Sequence, residues 1–81
     1  MKISTFNAIT KEAIKTNSMI QIPEAPTSFA EYCKISEEQG EEKGLDFLLN
    51  SIAKRQIEAA KSPKIKEVKK ERVIAFWSKY C

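Results

Sequence analysis

The chain has 81 residues, of which 42% are hydrophobic and 31% are charged, and its formal net charge is +3. This length indicates one small domain, and the composition excludes a disordered tail, a collagen-like repeat and a disulfide-rich scaffold. A single core of this size rarely contributes more than about 3–5 kcal/mol to stability. We therefore expect closely packed helices, self-association or a bound partner.

The side chains that most catalytic and metal sites require are scarce. The chain has no His, two Cys and two Gly, so the usual neutral-pH base, a zinc-ligand pattern and a phosphate-binding loop are missing. Cys33 and Cys81 are too far apart for a Cys-x-x-Cys motif, and we expect two free thiols in a reducing cytoplasm. The composition predicts a protein that is not an enzyme and that uses no cofactor or metal.

Targeting signals are not evident in the sequence either. Met1–Asn7 holds one Lys and no apolar run of signal-peptide length. No segment approaches the ~20 apolar residues that span a bilayer. We expect a protein in the cytoplasm of a host cell, or in a virion, without a membrane partner.

Residues 1–26 form an N-terminal arm in this interpretation. Helical spacing of apolar residues predicts a short helix over Asn7–Thr16, although an extended arm also fits. Alternation over Ser18–Ile22 predicts a strand, which Pro23 ends because proline lacks a backbone donor. A single strand needs a partner, from the arm or from a second copy of the chain.

Three further helices are predicted after the arm, over residues 28–39, 41–61 and 64–79. Ser28 and Glu31 form a capping box at the start of the first, and Gly40 has the conformational freedom to end it in a left-handed C-cap. The second carries the clearest 3.6-residue apolar period in the chain, and Ser62-Pro63 ends it.

The predicted fold is a mainly α, single small domain of three helices with a short N-terminal extended segment, or an α+β domain if the strand pairs. Apolar residues at helical spacing supply the expected core. Its members are Phe29, Tyr32, Leu45, Leu48, Leu49, Ile52, Val73, Phe76 and Trp77.

Charge is unevenly distributed along the chain. Residues 24–46 hold seven acids and two Lys, a net charge of −5, whereas residues 54–81 hold nine Lys or Arg and three acids, a net charge of +6. The two halves therefore attract each other, within one chain or between copies. The acidic run Glu37–Glu42 is either a solvated junction or a phosphate-like patch for a basic partner.

The basic segment Lys61–Arg72 is the first candidate binding surface. Its cations suit an acidic protein or the phosphates of a nucleic acid, and the neighbouring aromatic residues add stacking or an anchor. The alternative is a solvated helix face, with Lys69 and Arg72 extending their aliphatic stems over the edge of the core. The best candidates for partner binding are Lys66, Lys69, Lys70, Arg72 and Trp77.

Residues 18–61 resemble a ribbon-helix-helix repressor. They offer an alternating strand over Met19–Ile22, then a proline, a helix that ends near Gly40 and a longer helix. The resemblance implies a dimer in which paired strands read the DNA major groove, with Asn17, Met19 and Gln21 as the readers. The chain departs from that pattern at Glu41 and Glu42, because acids there repel the phosphate that this family binds.

The order of the remaining patterns is similar to that of many small phage-encoded helical proteins. It runs through Ser28-Phe-Ala-Glu-Tyr, Gly40-Glu-Glu-Lys and Leu45-Asp-Phe-Leu-Leu-Asn50 to a Lys- and Arg-rich helix. This resemblance implies an accessory protein that acts by binding a host or defence protein, as inhibitors of the anti-CRISPR type do. The alternatives are a dimeric DNA-binding regulator and a small structural component of the virion.

Overall fold

The computed structural model describes residues 1–22 and 29–81, and within them it is mainly helical. A short 3₁₀ turn, Ser78–Tyr80, follows the last helix. The mainly α prediction is confirmed, but the described residues form four helices rather than three. In chain order these are α1 (Ile3–Lys15), α2 (Phe29–Gln39), α3 (Glu41–Ala60) and α4 (Glu67–Trp77).

The N-terminal arm differs most from the prediction. α1 begins at Ile3, four residues before the predicted start, and its 13 residues are half of the arm. The predicted strand over Ser18–Ile22 is wrong, since residues 18–22 have no regular secondary structure and the described residues include no strand. Pro23 and the Ser28 cap lie outside the described residues.

A side-chain amide takes the place of a partner strand for residue 20. The backbone N–H of Ile20 donates to Gln56 Oε1 at 2.7 Å, and Gln56 Nε2 donates to the Ile20 carbonyl oxygen at 2.9 Å. An amide group has a donor and an acceptor side by side, as a peptide group does, so one glutamine satisfies both backbone groups. This pairing fastens the segment after α1 to α3 without a sheet.

Helix α3 is the centre of the fold, and α1, α2 and α4 all pack against it. Its buried positions recur every three or four residues, which produces one continuous buried stripe along the helix. Glu41 and Glu42 in its first turn face the positive end of the helix dipole, where acids are favourable. The fully or nearly buried apolar side chains are Ala13, Leu45, Leu49, Ala53, Ala60, Val73 and Trp77.

The predicted core is confirmed in its centre and wrong at one edge. Leu45, Leu49, Val73 and Trp77 are buried, whereas Phe29 is 58% exposed. Phe29 stays at the surface because α2 packs chiefly on α3 and buries none of its own residues. The remaining predicted members, Tyr32, Leu48, Ile52 and Phe76, are half-buried.

Gly40 is the whole connection between α2 and α3. Its φ of 98° and ψ of 156° confirm the predicted positive φ, but the extended ψ differs from the left-handed cap that the sequence suggested. This region of backbone space is essentially open to glycine alone. The turn folds α2 back along α3, and Gly44 then allows a close approach, because a Cβ there would overlap Ser36 Oγ.

The last helix is shorter than predicted at both ends. Residues 61–66 form turns, so α4 begins at Glu67, and the chain tightens into the 3₁₀ turn after Trp77. Asn50 Nδ2 donates to the Tyr80 carbonyl oxygen at 3.1 Å, which places this turn beside the middle of α3. Within the described ranges, no helix combines the length and the apolar character needed to cross a membrane.

Candidate partner-binding surface

The structure places the five predicted partner-binding residues in three different environments. Trp77 is fully buried, Lys69 and Lys70 are half-buried, and Lys66 and Arg72 are exposed. The side of α4 that carries Val73 and Trp77 packs on α3. Candidate residues on that side are buried, and those on the other sides are half-buried or exposed.

Trp77 is a core residue and does not contribute to an exposed surface. Its Nε1–H donates to the Ser18 carbonyl oxygen at 2.8 Å inside the protein. Its ring meets Phe76 edge-on with centroids 4.9 Å apart, and Tyr80 lies 6.0 Å away. The partner-binding role suggested for Trp77 is therefore dropped, while the core role that the sequence also suggested is confirmed.

Lys69 has a structural contact. Its ammonium group donates to both the carbonyl oxygen and the side-chain oxygen of Asn17, at 2.9 and 2.5 Å. Asn17 has a φ of 57°, in the left-handed region that asparagine enters more readily than most residues. Lys69 thus fastens the turn after α1 to α4, whereas the structural interpretation from the sequence only extended its stem over the edge of the core.

The exposed cations that remain within the basic segment lie in the α3–α4 connection and on α4. Lys61 and Lys64 lie in the α3–α4 connection, Lys66 immediately precedes α4, and Arg72 lies on the outer side of α4. We call these four residues the basic end. Lys61 Nζ lies 3.6 Å from Glu58 Oε2, and among the described residues the other three form no ion pair.

Lys61 and Lys64 were not among the best candidates from the sequence, although they belong to the basic segment. The predicted helix began at residue 64, so Lys61 fell before it, and the candidates were chosen from residue 66 onward. The signal that could have found them is the Ser62-Pro63 pair, because a turn between two helices exposes the side chains around it.

The acidic end is the opposite end of the same molecule. Four exposed glutamates, Glu37, Glu38, Glu41 and Glu42, flank the Gly40 turn. The 20 residues of α3 separate this turn from the α3–α4 connection, a distance of about 30 Å at 1.5 Å per residue. Since the molecule is 40 Å long, the two charge groups lie towards its opposite ends.

The three predicted DNA-reading residues do not form a reading surface. Asn17 accepts the Lys69 hydrogen bonds, Met19 packs against the core, and Gln21 is exposed. The strand that the ribbon-helix-helix resemblance requires from them is absent within residues 1–22 and 29–81. These residues therefore lack the common face from which side chains enter a groove.

Other chemistry-bearing groups are dispersed. Cys33 and Cys81 are exposed, reduced thiols, as predicted. No group of three or more potential metal ligands occurs in the part of the chain that the structure describes. An open depression of about 340 Å³ lies between the first turns of α1 and α3, and it is lined by Lys2, Ile3, Ser4, Glu41, Glu42 and Leu45.

Comparison with known proteins supplies no relative from which a function can be inferred, so the functional argument rests on the surface of this chain. No protein-family model, curated protein or solved structure matches this chain.

Proposed function

We propose that this protein is a non-enzymatic, phage-type accessory protein that binds an acidic surface of another protein, in a host cell or in a virion. The observation that carries the proposal is the basic end. Three exposed lysines lie in the α3–α4 connection and Arg72 lies further along α4, and about 30 Å of helix separates the connection from the main group of acids. Charge arranged in this way steers and orients a complementary partner.

The charge pattern of α4 favours an acidic protein over a nucleic acid as the partner. Glu67 and Glu71 are exposed on α4 among the cations, and Val68 beside them is 68% exposed. Acids repel a continuous phosphate backbone, whereas protein interfaces mix charged pairs with apolar contacts. A net charge of only +3 also falls short of the strong basic excess typical of nucleic-acid-binding domains.

The test uses affinity capture with two baits of equal charge change. The double variant Lys66→Glu/Arg72→Glu reverses two of the four charges of the basic end, and Lys34→Glu/Lys43→Glu reverses two exposed lysines on α2 and α3. We expect proteins that bind the wild-type bait and the Lys34/Lys43 control, and that are lost from the Lys66/Arg72 variant. Added salt should weaken the same interactions.

Two results would contradict this function. One is a set of captured proteins that does not change when these two charges of the basic end are reversed. The other is a gel shift of duplex DNA at low salt that the Lys66/Arg72 variant abolishes, because that would make nucleic acid the partner of this surface.

A further inference from the structure

The monomer has more surface than a chain of its mass normally exposes. Its accessible area is 5627 Å², whereas a compact monomer of 9.2 kDa exposes about 4,900 Å². The radius of gyration is 13.0 Å, against about 11.7 Å for a compact domain of this length. The excess area of roughly 700 Å² is close to the share of one partner in a standard interface, which is about 800 Å².

Helix α2 accounts for an exposed apolar part of this surface. It packs chiefly on α3, and it has no buried residue. Phe29 at its start is 58% exposed, and its ring lies 5.9 Å from the half-buried ring of Tyr32. The 11 residues of α2 place Phe29 about 16 Å back from the Gly40 turn, which is near the middle of α3.

Phe29 therefore lies between the two charged ends along the 40 Å long axis of the molecule. The acidic end is on one side of it and the basic end is on the other. If a second copy is placed antiparallel, with a twofold axis near Phe29, each acidic end comes beside the partner's basic end. The aromatic residues of the two copies meet at the centre of this arrangement.

We propose that the exposed side of α2, which begins at Phe29, binds a second copy of the same chain. The two copies form an antiparallel, twofold-symmetric dimer. The acidic end of each copy contacts the basic end of the other, and the twofold axis makes these two contacts identical. The aromatic centre supplies the apolar burial that the α2 face lacks in the monomer. The dimer does not depend on the proposed function. Because the dimer covers the basic end, an acidic protein partner would compete with the second copy for that surface.

The first test is the molecular mass in solution, measured by sedimentation equilibrium over a concentration series at low salt. We expect a reversible monomer–dimer equilibrium for the wild type, shifted towards monomer as salt is added. A wild type that stays monomeric at millimolar concentration overturns the proposal. So does open-ended growth beyond the dimer, because head-to-tail stacking would then replace the twofold contact.

The second test neutralises each end separately and then combines the two variants. Glu37→Lys/Glu38→Lys brings the four residues of the acidic end to zero net charge, and Lys66→Glu/Arg72→Glu does the same for the basic end. We expect each variant alone to be monomeric, because one of its ends no longer attracts the other. An equimolar mixture should form a heterodimer, since the unchanged basic end of one variant meets the unchanged acidic end of the other.

Both pairs of substitutions are compatible with folding. Lysine is favourable in the last turn of α2, where residues 37 and 38 lie, and glutamate is favourable at residue 66, just before α4. Arg72 is exposed in the middle of α4, where glutamate forms helix about as well as arginine does. Circular dichroism of each variant checks this directly. Folded variants that dimerise alone as well as the wild type does, or that fail to associate when mixed, overturn the charge contacts.

A third pair of variants tests the aromatic centre. Phe29→Ser should weaken the dimer by about tenfold or more, because truncation of a central aromatic anchor is costly. Ile14→Ser removes an exposed apolar side chain from α1, which carries none of the proposed contacts, and should leave the dimer unchanged. Equal effects of the two variants would contradict the position of the twofold axis.

These three tests use only this chain and its variants, with no other protein present. Failure of the dimer therefore leaves the proposed function standing, and loss of partner capture leaves the dimer standing.

Discussion

The indole N–H of Trp77 donates to the carbonyl oxygen of Ser18 across 59 residues of sequence, with a donor–acceptor distance of 2.8 Å. Ser18 is 1% exposed and Trp77 is 0% exposed, so water does not compete for this bond. The Ser18 hydroxyl is paired separately with Thr16 Oγ1 at 2.8 Å. One hydrogen bond thus joins the segment after α1 to the end of α4, inside the core.

Replacing Trp77 with Phe tests this bond. We expect Trp77→Phe to lower the free energy of unfolding by about 2–4 kcal/mol, because it leaves the Ser18 carbonyl unpaired and removes buried volume. Guanidinium unfolding followed by far-UV circular dichroism measures the change, since Trp77 is the single Trp and its fluorescence is lost in the variant. Tyr80→Phe also removes one polar group from an aromatic ring and should cost under about 0.5 kcal/mol. Equal stability of the two variants would contradict the role of the bond.

Replacing Gln56 with Met tests the amide pairing with Ile20. Methionine keeps the length of the side chain but can neither donate nor accept as the amide does, so both backbone groups of Ile20 lose their partner. We expect a loss of about 1–3 kcal/mol in chemical unfolding. The control Gln21→Met makes the same change at an exposed position and should lie within about 0.5 kcal/mol of wild type. Hydrogen exchange at the Ile20 amide should accelerate in Gln56→Met alone.

Replacing Gly44 with Ala tests the close approach of α2 to α3. The new Cβ would overlap Ser36 Oγ and come within 3.1 Å of Tyr32 Cε2. We expect a net loss of about 1–3 kcal/mol from overpacking. Ser36 Oγ is buried without a hydrogen-bond partner among the described residues, so Ser36→Ala should be close to neutral by itself.

The same serine provides a rescue experiment. In the double variant Ser36→Ala/Gly44→Ala the overlapping oxygen is gone, and at least half of the loss caused by Gly44→Ala should return. The coupling between the two sites, measured as a double-mutant cycle, should therefore be favourable. Strictly additive effects would show that the helices separate for another reason.

Replacing Gly40 with Ala tests the positive φ at this position, whereas the Gly44 variant tests packing. Nothing lies within 4 Å of a Cβ built at Gly40, but its φ of 98° is unfavourable for any L side chain. We expect Gly40→Ala to cost about 1–3 kcal/mol, measured by thermal or chemical unfolding. Gln39→Ala, at the adjacent exposed position, should cost under about 0.5 kcal/mol. Ser36→Ala should give no rescue here, and a rescue would contradict the conformational explanation.

The candidate surface could be predicted in part. The run of cations before and within α4 identified the region that the proposal uses, because net charge along the chain needs no structure to be read. Lys66 and Arg72 are exposed as a binding surface requires, whereas Lys69 and Trp77 are held by Asn17 and Ser18. Their partners lie 52 and 59 residues away in the sequence, and no local pattern indicates such contacts.

The sequence by itself determined the helical character, the approximate bounds of α2 and α3, the turn at Gly40 and the separation of charge. These properties depend on the side-chain period and on the conformational limits of single residues, which act over a few positions. Tertiary structure decided that Ile20 pairs with Gln56 instead of with a strand, and that Phe29 stays at the surface. The physical reason is that burial and backbone pairing depend on which elements meet in space, and that choice is made by packing over the whole chain.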